Sequence, residues 1–211
     1  SGTVIAQAVG ICLMPIITRI FGPDIIGSAT VLISIVSVLT VISCLLYERA
    51  IILPREDKDA GALFLSAICI LFVFSAVVTV VFLLFGDFIL NILNQDGLKP
   101  YFMIVPLLTF IDGLYLCFRY WNTRRKRFGT QAITQALQSV SGSVAKLGFG
   151  IGGLINPGSI LFSQLAGQFI GTFVLGFQIV RSDLQVIRSS VSLSNMKRQM
   201  KRYRKFPLIY T

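Results

Sequence analysis

Long apolar runs dominate the chain, and four of them carry no charged side chain. These uncharged runs cover residues 1–18, 25–47, 60–86 and 147–180. A helix needs about 20 apolar residues to cross roughly 30 Å of hydrocarbon. No run shows the sustained apolar–polar alternation of a membrane β-strand. Because backbone groups in lipid must bond within their own segment, the runs predict membrane-spanning helices.

The spacing of the runs predicts six crossings in an all-α, polytopic transmembrane helical bundle. We place them at residues 1–20, 26–47, 61–85, 100–122, 130–151 and 157–180. The last two are separated by "GGLINPG", whose Gly, Asn and Pro residues are typical of a turn. Residues 1–180 are then one six-helix domain, 181–206 a basic cytoplasmic or interfacial linker, and 207–211 the start of a truncated seventh helix.

The positive charges are distributed unevenly between the two ends of the predicted bundle. Of nineteen Lys and Arg residues, sixteen follow the second, fourth or sixth crossing, five of them in "RYWNTRRKRFG" at 119–129. Arg19 and Lys99 are on the other side, and Lys146 lies inside the fifth crossing. By the positive-inside rule, the even-numbered hairpins and the C-terminal tail lie in the cytoplasm. The basic cluster therefore indicates topology, and we expect no nucleic-acid binding.

Composition narrows the functional classes. The 211 residues are 55% hydrophobic and 13% charged, and they include no histidine, whereas ordinary globular domains have about 25% charged residues. The absence of histidine removes His-based acid–base catalysis, haem ligation and most zinc sites. The four cysteines have no metal-ligand spacing. We expect no enzyme activity, no metal and no cofactor.

The basic tail has its own pattern. Leu193, Met196, Met200 and Tyr203 recur at helical spacing, and basic residues fill the positions between them. Such a helix lies in the membrane interface and is attracted to anionic lipids. A solvated linker helix is the alternative.

Polar side chains inside the predicted crossings form the candidate site. In the fifth crossing, one polar stripe contains Gln135, Gln138, Ser139, Gly142 and Lys146. The sixth crossing has a similar stripe of Gln164, Gly167, Gln168 and Gly171. Such stripes face either a neighbouring helix or a hydrated cavity, and the Gly167–Gly171 spacing also suits close helix packing. Asp112 lies near mid-bilayer in the fourth crossing, where a carboxyl serves either a structural hydrogen bond or transport.

Several motifs in order along the chain carry a resemblance to a known family. The first crossing ends in an Arg-x-x-Gly-Pro motif (Arg19, Gly22, Pro23), and the second leads into a Tyr-Glu-x-Ala-Ile-x-Leu-Pro loop at 47–54. The fourth ends in a Tyr-Trp-x-x-Arg-x-x-x-Phe pattern at 120–128, and a Gly-Leu-Ile turn precedes a glycine-rich sixth helix. The whole chain resembles the bacterial polysaccharide biosynthesis and O-antigen flippases of the multidrug/oligosaccharidyl-lipid/polysaccharide exporter superfamily.

The resemblance implies a fold and a function. The family has two six-helix lobes that rock about a central cavity, so we expect this chain to be the first lobe of a longer protein. The implied function is the flipping of undecaprenyl-diphosphate-linked oligosaccharide across the bacterial inner membrane for O-antigen, capsule or exopolysaccharide. Arg19 and Lys146 are the candidates for binding the diphosphate, and Gln135, Gln138, Gln164 and Gln168 for the sugar hydroxyls. A polysaccharide polymerase and glycosyltransferases are the implied protein partners.

Three alternatives stay open at this point. A cation-coupled multidrug exporter of the same superfamily would use Asp112 for coupling. A membrane enzyme would need carboxylates at the membrane surface, for which Glu48, Glu56, Asp57 and Asp59 are available. The third is a structural subunit of a polysaccharide assembly complex.

Overall fold

The computed structural model describes residues 2–92 and 96–203, and within these ranges the secondary structure is helical with no strand. This confirms the predicted all-α class. The helices are α1 Gly2–Ser43, α2 Tyr47–Ala50, α3 Asp57–Ile92, a 3₁₀ helix Asp96–Tyr101, α4 Ile104–Arg124, α5 Phe128–Ile151, α6 Pro157–Ser189 and α7 Leu193–Arg202. The predicted start of a seventh crossing at 207–211 lies outside the described residues.

A kink at Gly22 divides α1 at the point where the sequence separates the first two crossings. Gly22 has φ 73° and ψ 163°, a non-helical conformation in the middle of the element. Only glycine adopts this region readily. Pro23 follows, and a proline disfavours helical geometry in the residue before it. The Gly-Pro pair of the sequence motif is therefore the cause of the kink.

The remaining helix boundaries follow the sequence with some extensions. The first kinked element ends at Ser43, four residues before the predicted end of the second crossing, and left-handed Leu45 and Leu46 form the turn into α2. The helix α3 is longer than predicted at both ends. The helix α6 continues through residues 181–189 of the predicted linker, and α7 forms most of the rest.

The turn between α5 and α6 has the chemistry that its sequence predicts. Gly153 has φ +76°, and Asn156 accepts a hydrogen bond from the backbone N–H of Ser159 at 2.9 Å. Pro157 occupies the first turn of α6, where its missing N–H costs nothing. The two helices therefore leave this turn as a closely packed pair.

Apolar surface covers much of the outside of the bundle. Phe72, Leu84, Phe88, Phe173 and Phe177 are each at least 60% exposed, which is typical of a surface that faces lipid. Within the described residues, four helical segments are long and apolar enough to cross a membrane: Cys12–Ser43, Asp57–Ile92, Ile104–Arg124 and Pro157–Ser189. The polar stripe of α5 lowers its hydropathy. The count of six crossings stays a prediction.

The basic segments meet at one end of the bundle. Asp57, at the start of α3, forms ion pairs of 2.9 Å with both Arg124 and Arg125 at the end of α4. Asn195 of α7 donates to Asp59 at 3.2 Å. The three segments that the charge pattern assigns to one side therefore share one end, and the side of the membrane that this end faces stays a prediction.

Candidate functional site

A cavity of about 390 Å³ lies between α1, α5 and α6. It brings together five of the seven residues singled out from the sequence: Gln135, Gln138, Lys146, Gln164 and Gln168. Gly10, Met14 and Ile17 of α1 complete the wall. The polar stripes of α5 and α6 therefore face one shared space and also form the contact between the two helices. Hydration of this space stays a prediction.

Close contact between α5 and α6 holds the amides in place. The side-chain amide of Gln138 donates to the Oε1 of Gln168 across the two helices. A Cβ on Gly167 would lie 2.8 Å from the backbone oxygen of Gln138 and 3.4 Å from the Cα of Gly142. A side chain at 167 would therefore separate the helices, which confirms the close packing that the Gly167–Gly171 spacing predicts.

The cavity lining suits a neutral or anionic polar ligand. An amide side chain offers both donors and an acceptor, and the Lys146 ammonium is a donor only. The lining also includes the hydroxyl-bearing Ser139 and Ser143, and none of the lining residues that the structure describes is acidic. Ser143 lies four residues beyond Ser139, so its helical spacing could have added it to the predicted stripe.

Arg19 and Asp112 lie outside this cavity. Arg19 is exposed and lines a neighbouring depression with Pro15 and Thr18. Gly10 and Met14 line both spaces, so the depression adjoins the cavity.

Asp112 lies on α4 at the level where that helix meets three others. The Oδ1 atom of Asp112 is buried and has no hydrogen-bond partner among the described residues. Next to it, the Ile111 carbonyl accepts from Thr172 of α6 at 3.4 Å. On the other side, a Cβ on Gly113 would lie 2.4 Å from Leu71 and 2.9 Å from Ser43. Asp112 therefore lies among closely packed helices, and its conformational or coupling role stays a prediction.

A second polar cluster, which the sequence did not indicate, is centred on Asp183 of α6. Its carboxylate pairs with Arg127 at 2.7 Å and with Arg125 at 3.2 Å. It also accepts from the indole Nε1 of Trp121 at 3.1 Å. Asp183 is only 4% exposed and Trp121 is fully buried. We call these four residues the Asp183 cluster, and it joins the end of α4, the start of α5 and the end of α6.

Arg124 has a structural role in the same region. Its side chain is 11% exposed and pairs with Asp57. Its guanidinium also donates to backbone carbonyls of the segment between α2 and α3, at 2.6 Å for Pro54, 3.3 Å for Ile52, 3.4 Å for Arg55 and 3.5 Å for Ile51. The basic cluster of the sequence therefore fixes the local fold, in addition to any effect on topology.

The protein is a helical membrane protein. Its long helices are apolar, its outer surface exposes large apolar side chains, and its polar cavity lies between helices. The family model described as polysaccharide biosynthesis protein matches residues 16–203. The chain belongs to this polysaccharide biosynthesis protein family. Comparison with curated proteins and with solved structures gives no match.

Proposed function

We propose that the chain forms one wall of the pathway through which a flippase moves undecaprenyl-diphosphate-linked oligosaccharide across the bacterial cytoplasmic membrane. The observation that supports this is the cavity itself, where four glutamines and Lys146 converge between apolar helices. Membership of the polysaccharide biosynthesis family makes a glycan-linked substrate the natural candidate.

The chemistry of the cavity fits the parts of such a substrate. Sugar hydroxyls lose hydrogen bonds to water when they enter the membrane, which costs free energy. Amides and hydroxyls in the cavity can donate and accept hydrogen bonds that replace them. The Lys146 ammonium offsets part of the negative charge of a diphosphate. A volume of about 390 Å³ lies within the range of about 300–1,000 Å³ for small-ligand sites. A second lobe opposite this wall would complete the pathway by alternating access.

The lining argues against a cation-coupled multidrug exporter. A cavity for cationic drugs needs acidic groups. The described lining of the cavity between α1, α5 and α6 has amides, hydroxyls and a lysine instead. Asp112, the carboxyl that such an exporter would use, is on α4 and is not part of the wall.

Three of the four carboxylates that a membrane enzyme could use are paired or buried. Asp57 pairs with two arginines, and Asp59 accepts from Asn195. Glu48 is 3% exposed, and burial raises the pKa of its carboxyl. The contacts of Asp57 and Asp59 favour structural roles for these two carboxylates, and we propose that the protein has no catalytic activity of its own.

A deletion strain tests the proposed function. Spheroplasts are treated with an impermeant reagent that oxidises and tags sugar on the outer leaflet, and the tagged fraction of the lipid-linked oligosaccharide is measured. The proposal predicts that the oligosaccharide is still made, accumulates and is protected from the reagent, while surface polysaccharide is lost. An unchanged tagged fraction contradicts the proposal. Failure to make the oligosaccharide indicates an enzyme or an assembly subunit instead.

A further inference from the structure

An apolar groove of about 440 Å³ runs along the outer face of the bundle between α3 and α7. Its lining includes Cys69, Ile70, Val73, Val77, Met196 and Met200. The hydroxyl of Ser66, which also lines it, donates to the Ala62 carbonyl at 2.8 Å, so the groove surface is almost entirely apolar. We call this the α3–α7 groove.

Polar contacts hold α7 against α2 and the start of α3, beside the groove. Tyr47 donates from its hydroxyl to the Met200 carbonyl at 3.2 Å. Asn195 donates to Asp59 at 3.2 Å, and Arg198 lies 3.8 Å from the same carboxylate. Met200 and Tyr203 of the α7 segment therefore pack on the bundle, and the predicted position of the tail in the membrane interface stays a prediction.

The exposed positions of α7 are strongly basic. Lys197, Lys201 and Arg202 are exposed, and the Arg198 side chain is 72% exposed. Lys197 and Lys201 directly follow the two methionines of the groove. Because Met196 and Met200 line the groove, positive charge lies beside it on α7, and this charge complements an anionic headgroup attached to an acyl chain.

The length of the groove fits one acyl chain. Ser66 and Val77 are eleven residues apart on α3, or about 16 Å at about 1.5 Å per residue. Half of a hydrocarbon core of about 30 Å is about 15 Å. An acyl chain from one leaflet therefore matches the groove in length, whereas a second copy of a chain with net charge +10 would bring like charges towards each other.

We propose that the α3–α7 groove is a binding site for an anionic phospholipid, with one acyl chain against α3 and the headgroup phosphate at the basic side chains of α7. This site is separate from the cavity between α1, α5 and α6 and does not depend on the proposed transport function. A lipid here bridges α7 to the bundle and anchors the tail in the interface.

Photo-crosslinking in vesicles tests the site directly. The purified chain is placed in phosphatidylcholine vesicles that contain a trace of phosphatidylglycerol or phosphatidylcholine with a photoactivatable acyl chain. Mass spectrometry then locates the cross-links. The peptides that carry residues 69–77 and the α7 methionines should be labelled at least about fivefold more by the phosphatidylglycerol probe, since one basic residue near the surface already gives about that factor.

Matched variants distinguish specific lipid binding in the groove from non-specific contact with the bilayer. Lys197→Gln with Lys201→Gln should strongly reduce the preference for phosphatidylglycerol, whereas Arg49→Gln with Arg55→Gln, which changes exposed basic residues outside α7, should not. Val73→Trp should fill the groove and reduce labelling there, whereas Val80→Trp on the same helix outside the groove should not. Both α3 positions are exposed, so either tryptophan is compatible with the fold.

Three results would overturn the proposal. One is equal labelling of the groove and of the α3 surface around Val80 by both probes, which indicates surrounding lipid only. Another is a Lys197/Lys201 variant that keeps the full preference for phosphatidylglycerol. The third is a cross-link pattern dominated by a second copy of the chain, which makes the groove an interface between copies.

Discussion

The indole of Trp121 donates to the carboxylate of Asp183 at 3.1 Å, and both side chains are buried. The same carboxylate pairs with Arg127 and Arg125, and the Arg125 guanidinium lies 5.4 Å from the centre of the Trp121 ring. A buried charge is tolerated when it is paired and hydrogen-bonded. Asp183 therefore connects α6 to the end of α4 and the start of α5 at the basic end of the bundle.

Asp183→Ala should destabilise the protein by about 3 kcal/mol, because it leaves partly buried Arg127 and the buried Trp121 indole without their partner, while Arg125 keeps its ion pair with Asp57. The control is Asp87→Ala. Asp87 pairs with Lys99 at 2.8 Å, but the two side chains are 72% and 67% exposed, so its loss should change stability by no more than about 1 kcal/mol. Thermal unfolding in detergent measures both, and equal effects would refute the structural role of the cluster.

Gly22→Ala should destabilise α1 by about 1–3 kcal/mol, because a side chain at φ 73° and ψ 163° is strained whatever the surrounding space. Gly27→Ala is the matched control. Its site is helical with open space around it, so the change should be neutral or stabilising by roughly 0.5–1 kcal/mol. The unfolding temperatures of the two variants measure this difference in stability. A Gly22→Ala protein as stable as the Gly27→Ala protein would show that stability does not depend on the glycine conformation at the kink.

The fold was largely predictable because hydrophobic length and charge are strong signals in membrane proteins. The uncharged runs lie within long helices, and the gap between the first two runs contains the kink at Gly22. Helix ends were less predictable, since α6 continues through Arg181 and Arg188 to Ser189. Charged residues mark where a helix leaves the hydrocarbon, and nothing requires the helix itself to end there.

Gly167→Leu should separate α5 from α6, because even a Cβ at this site would lie 2.8 Å from the Gln138 backbone. Overpacking of this kind costs about 1–3 kcal/mol or more. Gly148→Leu is the control on α5 and should be tolerated, because a Cβ at position 148 would have no atom within 4 Å. Membrane abundance and unfolding temperature report the difference, and normal values for Gly167→Leu would contradict the close packing.

Single cysteines test the membrane topology. In a background without the four native cysteines, Lys126→Cys should be protected from an impermeant maleimide in intact cells, because its segment is at the basic end that the charge pattern assigns to the cytoplasm. Asp87→Cys, near the opposite end of α3, should react. Labelling of position 126 from outside would reverse the orientation.

The candidate site was predictable in part. Helical spacing put Gln135, Gln138 and Lys146 on one stripe, and the structure places that stripe in a cavity with Gln164 and Gln168. Spacing could not place Arg19 or Asp112, since their positions depend on how α1 and α4 pack against other helices. The Asp183 cluster was hidden for the same reason, because Asp183 is 62 residues from Trp121 and meets it only in the folded bundle.

The substitution series at Lys146 tests the proposed pathway most directly. The measured quantity is the fraction of lipid-linked oligosaccharide that reaches the outer leaflet in cells, at matched protein abundance. Lys146→Arg should largely preserve it, Lys146→Ala should lower it, and Lys146→Glu should abolish it, because a carboxylate repels the diphosphate. Lys58→Glu, an exposed lysine of α3 outside the cavity, is the charge-matched control and should have no effect. If the Lys146→Glu protein moves as much oligosaccharide as the unsubstituted protein, Lys146 does not hold the diphosphate and the proposed role of the cavity is wrong.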